Sequence, residues 1–302
     1  MSIEPVLSYS IKDLENISGI KAHTLRIWEQ RYNLFEPNRT DTNIRLYSNS
    51  DMRKLLNVAL LNTNGVKISK IAELSNDQLN VKASEILVSQ NNYQNQIEFL
   101  VMSMIDMNES KFEEIISENI LSIGLVNTIE NIVYPFLIRV GVLWQTNSIH
   151  PGQEHFMSNL IRQKLISAID SQSLKPAADG PVFMLFLPDN ELHEISLIYY
   201  NFLLRELNYQ TIYLGQSVPF KELIKVAQHK KVTHALSVFT SGLKNSKIEG
   251  YLSSLSAALP EVQFFLSGYQ LIDFKTHSLS NVNTFKNIQE FKSSIIGLNQ
   301  PK

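Results

Sequence analysis

Two capping boxes, Ser10 with Asp13 and Ser48 with Asp51, bracket the segment that most restricts what this chain can fold into. Ser10 caps a helix opening at Ile11, in which Ile11, Leu14 and Ile17 share one face before the Ser18-Gly19 break. Lys21 to Arg31 makes a second helix, with Leu25 and Trp28 at inward spacing and Lys21, Thr24, Arg26 and Arg31 facing outward. The stretch from Asn38 to Tyr47 is non-helical, with turn residues at its tip and Arg39 and Arg45 on its arms. The second capping box then starts a third helix. A short helix, a turn, a recognition-length helix, a basic hairpin and a further helix form the order of parts of a winged helix-turn-helix that reads DNA. Charge agrees with this. Lys21, Arg26, Arg31, Arg39, Arg45, Arg53, Lys54, Lys67 and Lys70 face only Glu29, Glu36, Asp41 and Asp51, while the whole chain carries a net charge of −2. The basic excess is local, as a DNA-facing module needs.

The 302 residues imply two or three domains, and a hydrophobic content of 44% is ample for packed cores. With no cysteine, disulfides, cysteine-ligated zinc, iron–sulfur clusters and thiol nucleophiles are excluded. No basic-then-apolar leader opens the sequence, and no apolar run approaches the ~20 residues of a membrane span. A soluble, cytoplasmic protein is expected.

The texture changes after Ser75. Ile97, Leu100, Val101, Met104 and Ile105 form one apolar stripe. Phe112, Ile115, Ile116, Ile120 and Leu121 form a second, and Ile129, Ile132, Val133, Phe136, Leu137 and Val140 a third. Phe156 to Ile169 is the last. Four amphipathic segments predict a four-helix bundle, with Met102, Met104 and Met107 as core filler. From Pro181 short apolar runs alternate with helical patterns. Strands are expected at Val182–Leu187, Thr211–Leu214, His234–Phe239 and Val262–Leu266, with helices at His193–Glu206, Phe220–Gln228 and Lys244–Ala258. A weaker strand–helix pair follows. This is a doubly wound, Rossmann-like sheet, whose ligands sit at the carboxyl ends of the strands. The expected fold is therefore multidomain α and α/β, with domains at 1–77, 78–176 and 177–302. Ser171 to Gly180 is the linker before the last.

The first strand of the sheet leads into Pro188-Asp189-Asn190-Glu191-Leu192-His193, which is no glycine-rich phosphate loop and argues against a dinucleotide. It holds an acid two residues before an imidazole. At that spacing the carboxylate can accept from one ring nitrogen while the other binds a metal. His23 lies in the recognition helix and reads as a phosphate or solvent contact. His229, His234 and His277 read as surface or satisfied sheet-end residues. No nucleophile–base arrangement and no catalytic carboxylate pair is present, so an enzyme is not expected.

The words Tyr9-Ser10-Ile11, Thr24-Leu25-Arg26-Ile27-Trp28-Glu29, Arg45-Leu46-Tyr47-Ser48 and Asp51 resemble, in order and spacing, the MerR family of transcription regulators. The resemblance implies that Arg26 lies near backbone phosphates and that the wing, Arg39 to Tyr47, makes further DNA contacts. With the outward residues of the second helix, the implied DNA face is Lys21, Thr24, Arg26, Arg31, Arg39, Arg45 and Tyr47. Residues 80–302 resemble the cobalamin-binding module of MerR-type regulators of the CarH and LitR kind. The resemblance rests on Glu191-x-His193, on Leu214-Gly215-Gln216-Ser217-Val218-Pro219 after the second strand, and on Trp144 followed by Glu154-His155 in the bundle. It implies that His193 binds cobalt from below and that Glu191 supports it. Trp144, Glu154 and His155, on the helical cap, would enclose the upper ligand, adenosylcobalamin above all. Ser196, Ser237, Ser267 and Gly268 would line the tail pocket.

Three positions depart from that pattern. Ser196 stands where the family has glycine, Ser237-Val238-Phe239 ends in a bulkier residue, and Ser267-Gly268 replaces paired glycines. In light-sensing relatives a histidine follows the cap tryptophan, and this chain has Gln145. The implied protein is a homo-oligomeric regulator whose assembly on DNA answers to cobalamin, with light release as a further expectation. Two other readings stay open: a regulator of the same fold sensing another ligand or partner, and a corrinoid carrier of a methyltransferase system.

Overall fold

The computed structural model describes residues 8–89, 92–173, 175–176, 180–272, 279–296 and 298, and the chain divides into two compact units, Met1–Leu160 and Ile161–Lys302. His277 and linker residues 174 and 177–179 lie outside the described residues.

In the first unit, strand β1 (Ser8–Tyr9) leads into helix α1 (Ile11–Ser18). Both halves of its capping box form: Ser10 Oγ accepts from the Asp13 N–H at 3.2 Å, and the Asp13 carboxylate accepts from the Ser10 N–H at 2.8 Å. Gly19 ends α1 at φ 73°, a left-handed cap that glycine adopts without a Cβ penalty. Helix α2 (Ala22–Tyr32) has Lys21 at its cap position, but the lysine side chain does not cap it. Glu15 does so instead, reaching from α1 to accept the Ala22 N–H at 3.2 Å. Strands β2 (Asn38–Arg39) and β3 (Arg45–Ser48) make the hairpin, and β1 pairs with the other edge of β3 in the order β1-β3-β2. Helix α3 (Asn49–Thr63) opens on the second capping box, and α4 (Ile68–Ala72) and α5 (Asn76–Ser89) follow.

The four apolar stripes become α6 (Tyr93–Asp106), α7 (Glu109–Thr128), α8 (Tyr134–Gln145) and α9 (Pro151–Asp170), with a π-helical turn at Ile129–Val133. Helix α6 is buried almost all round because it packs on α3 and α5 as well as on α7 and α8. Met102 and Met104 fill the core, whereas Met107 ends α6 at φ 48° and is exposed. The 109–145 stretch contains no unbroken apolar run of membrane-spanning length. Its mean hydropathy nonetheless reaches 1.4 over eighteen residues, and by length and composition it is the one described helix that could cross a membrane. Here it breaks at Gly124 (φ 82°, ψ 159°) and buries Phe112, Ile115, Ile132 and Phe136 in the core of the unit.

The second unit alternates β4 (Val182–Phe186), α10 (Ile195–Glu206), β5 (Gln210–Gly215), α11 (Phe220–His229), β6 (His234–Val238), α12 (Asn245–Ala258), β7 (Gln263–Ser267), β8 (Val282–Thr284) and α13 (Ile288–Ile295). All five strands are parallel, in the order β5-β4-β6-β7-β8. The chain leaves β4 toward β5 on one side and returns to β6 on the other. That makes the β4/β6 crevice the switch point at which ligands bind in doubly wound sheets. The sequence predicts α10 from His193; it starts at Ile195 because Glu191 holds the 192–193 backbone in the loop.

His234, at the start of β6, stacks on Phe183 at 4.8 Å and on Phe265 at 6.0 Å. Burial there pulls its imidazole below the ordinary histidine value. The neutral ring is the folded form, so the unfolded chain binds the extra proton first and stability falls with acid. The melting temperature of the full chain is expected to drop as the pH falls below about 6.5, the ordinary histidine value. His234→Phe, which keeps the stack, should flatten that slope in a calorimetric pH series.

Candidate functional site

The residues of the first unit that the sequence predicts to face DNA fall into two groups. Arg26, Arg31 and Arg39 are exposed, with Arg31 over the Tyr32 ring and Arg39 Nη1 donating to Asn43 Oδ1 at 2.8 Å. Lys21 is exposed and pairs with Glu15 at 3.1 Å, while Thr24 is half-buried beside His23. Tyr47 and Arg45 are tied inward. The Tyr47 hydroxyl donates to Glu29 Oε2 and Arg45 Nε to Glu29 Oε1, each at 3.0 Å, so one carboxylate of α2 fixes the wing strand. Burial, then Glu29, raises the Tyr47 phenol well above its ordinary value, so it stays a donor. Glu29 sits in the motif, where the sequence shows it only as an acid among bases. The Arg45-x-Tyr47 spacing, which puts both side chains on one face of a strand, was the signal for it.

In the second unit the loop after β4 is organised by one carboxylate. Glu191 is fully buried. Its Oε2 accepts from the N–H groups of Thr240, Ser241 and Gly242 at 2.8, 2.7 and 2.9 Å, all in the loop after β6. Its Oε1 accepts from the N–H groups of Leu192 and His193, both at 3.1 Å, and lies 2.6 Å from His193 Nδ1. Burial by itself would raise this carboxyl. The His193 ring and the Ser241, Gly242 and His193 N–H groups outweigh it and hold Glu191 well below the usual carboxylate range. The ionised Glu191 can accept a hydrogen bond from Nδ1–H of His193, the tautomer in which Nε2 is the basic ring nitrogen. The ring side chain is 62% exposed. This is the chemistry of a metal-ligating imidazole with its supporting acid. Gly242 is required by the same packing, since a Cβ there would lie 2.6 Å from the Glu191 backbone.

Around this loop, Ser237 lies between Ala235 and Phe239 on the β6 face that packs against α11 and α12. Its hydroxyl is fully buried and has no hydrogen-bond partner among the described residues, and the same holds for the Tyr251 hydroxyl of α12. Buried polar groups rarely stay unpaired, so both are suited to a ligand. Phe239 absorbs its extra bulk in the core against Tyr251, ring centroids 6.0 Å apart. Gly268, at φ 117°, packs so closely on the Phe239 backbone that a Cβ would collide with it. Ser267 is buried and its carbonyl accepts the Phe239 N–H at 2.8 Å, and Ser196 stands half-buried in the first turn of α10. A cavity of about 760 Å³ opens beside the Glu191 cage, lined by Thr240, Ser241, Asn245, Ile248, Tyr269 and Gln270. Glu194, next to His193, is buried and braced by Arg162 and by the Tyr213 hydroxyl at 3.2 Å, partners that no sequence spacing reveals. No group of three or more metal-ligating side chains occurs among the described residues. Trp144, at the end of α8, is 45% exposed, and in the first turn of α9 His155 Nδ1 lies 2.9 Å from Glu154 Oε2.

Comparison with known proteins matches family models to two segments of the chain. Residues 9–78 match the MerR HTH family regulatory protein family, and residues 96–167 match the B12 binding domain family. The HTH-type transcriptional repressor CarH of Myxococcus xanthus is 25% identical over 222 residues, covering 72% of this chain and 73% of the relative. CarA of the same organism is 25% identical over 216 residues, 70% of each chain. In fold, the monomethylamine corrinoid protein of Methanosarcina barkeri superposes with a TM-score of 0.53 at 17% identity, over 67% of this chain and 98% of that one. With the Ser237 and Tyr251 hydroxyls unpaired and the His193 ring oriented by Glu191, the residues present fit a cobalamin. The chain is a DNA-binding transcription regulator that joins a MerR-type helix-turn-helix to a B12-binding domain, homologous to the CarH and CarA repressors.

Proposed function

We propose that DNA binding by this regulator is set by a cobalamin whose cobalt is held by His193. The observation that carries this is the Glu191 cage, which fixes one tautomer of an exposed imidazole at the switch point of the sheet. When bound, the cofactor supplies a cobalt centre with an exchangeable upper ligand. Glu191 orients the ring, and Ser237, Ser267, Gly268 and Ser196 receive the tail. Trp144, Glu154 and His155 are assigned to the upper side on the sequence resemblance, which also makes adenosylcobalamin the preferred form. The signal is read as assembly in the cytoplasm: a homo-oligomer presents several heads, and linked heads turn modest affinities into tight operator binding. A switch from 1:99 to 99:1 assembled needs about 5.5 kcal/mol of differential cofactor affinity between the two states. Light release would have to proceed without a histidine after Trp144, since Gln145 stands there.

The test is the absorption spectrum of the chain mixed with adenosylcobalamin in the dark, desalted and then illuminated, beside His193→Ala. Wild type should retain the cofactor with an imidazole-ligated spectrum that the variant loses. A wild-type chain that retains no cobalamin would make it a regulator answering to another signal.

A further inference from the structure

The outward face of α2 is not wholly polar. Leu25 and Trp28 are buried, and His23, Arg26, Ile27 and Gln30 are exposed at i, i+3, i+4 and i+7. Ile27, at the middle of that stripe, is 50% exposed. It is not among the buried core residues, and its neighbours across the face are the cations Arg26 and Arg31. Glu29 bonds both Arg45 and Tyr47, so the wing and this face form one fixed surface.

We propose that Ile27 reads DNA sequence, and that what it recognises is the 5-methyl group of a thymine in the major groove. A helix-turn-helix places this helix face against base edges. An aliphatic side chain has no donor or acceptor for guanine, cytosine or adenine edges. The thymine methyl is the one apolar group among the four major-groove edges. Arg26, one position before, supplies charge for a phosphate, and His23 and Gln30, one turn to either side, can hydrogen-bond flanking bases. Ile27 therefore fixes the identity of one position per half-site and leaves the electrostatic part of the affinity to its neighbours.

The experiment uses the full chain, with and without adenosylcobalamin, and duplexes that it enriches from a randomised library. Each thymine of the enriched half-site is replaced singly by deoxyuridine, which lacks only the methyl, and affinities are read by fluorescence anisotropy. Wild type should lose about fourfold at one thymine per half-site, the worth of one buried methyl-sized group. Ile27→Ala should bind the thymine and uracil duplexes equally, with an unchanged dependence on salt. Arg26→Ala should keep the uracil penalty but reduce the slope of log affinity against log salt by about one. If Ile27→Ala keeps the wild-type uracil penalties, or changes the oligomeric state instead, Ile27 is not a base reader. If no duplex is enriched by any form of the chain, the DNA-binding role of the head falls together with this assignment.

Discussion

Glu191→Ala is expected to destabilise the second unit by about 3–5 kcal/mol, because it removes a buried charge and leaves its partners inside the protein. Five backbone N–H groups lose their acceptor at once, three in the loop after β6 and two in the loop after β4. The stitch between the two loops at the switch point then disappears. For a unit of this size the melting temperature should fall by on the order of 10 °C, measurable by calorimetry on the full chain. His193→Ala is the contrast. The ring is mostly exposed, but it is a hydrogen-bond partner of the buried Glu191 carboxylate, so its loss should cost about 1–2 kcal/mol, less than the loss of Glu191 itself. Both variants should fail to hold cobalamin, one through a collapsed loop and the other through a missing ligand. The ionised form of Glu191 is the stabilising one. Its contribution is complete above about pH 4.5 and is lost only as the pH falls through the much lower folded value, so mild acid leaves the cage intact. A Glu191→Ala protein that melts with wild type would show that the cage is dispensable to the fold.

Gln153→Leu carries the second large effect. Gln153 is buried within the first unit, one residue before Glu154 and His155. Its Nε2 donates to the Tyr9 hydroxyl and the Ile105 carbonyl, both at 3.2 Å, and its Oε1 accepts the His150 N–H at 3.0 Å. The Tyr9 hydroxyl in turn donates to Asn49 Oδ1 at 3.2 Å. Leucine fills nearly the same volume but leaves the carbonyl and the N–H unpaired, at a cost of about 2–4 kcal/mol. Tyr9 pairs with Tyr47 across β1 and β3, so this cluster ties the turn before Glu154 to the strand that carries the wing. Operator affinity should therefore fall with stability. A double-mutant cycle with Tyr9→Phe should be non-additive by at least about 0.5 kcal/mol. Strict additivity would mean that the two side chains do not act together.

Wherever periodicity decides structure, the fold could be read from sequence. The capping boxes, the apolar stripes and the βα alternation each specify an element by local spacing, and the elements stand within a few residues of those positions. The Glu191-x-His193 pair was visible because both partners sit in one loop. Its other half, the Thr240–Gly242 backbone, comes from about fifty residues away and carries no side-chain signature, so nothing in the sequence points to it. Gln153 failed to stand out for a related reason. A single amide in an amphipathic helix looks like a solvated residue until the fold brings Tyr9 and Ile105 against it. The hydroxyl of Tyr47 likewise turns inward to Glu29, which strand alternation alone could not decide.

The packing of α3 on α6 has a practical side. Regulators of this layout invite engineering by exchange, in which one operator-reading head is cut off and joined to a different sensor. In this chain the cut would strip α3 of its neighbour, leave the Tyr9 hydroxyl without Gln153, and remove Arg139 from the Ile17 carbonyl that it bonds. A transplantable head therefore has to carry α6, and a segment supplying Gln153 and Arg139, along with it. Chimeras joined after α4 should be insoluble or unfolded, whatever the quality of the linker.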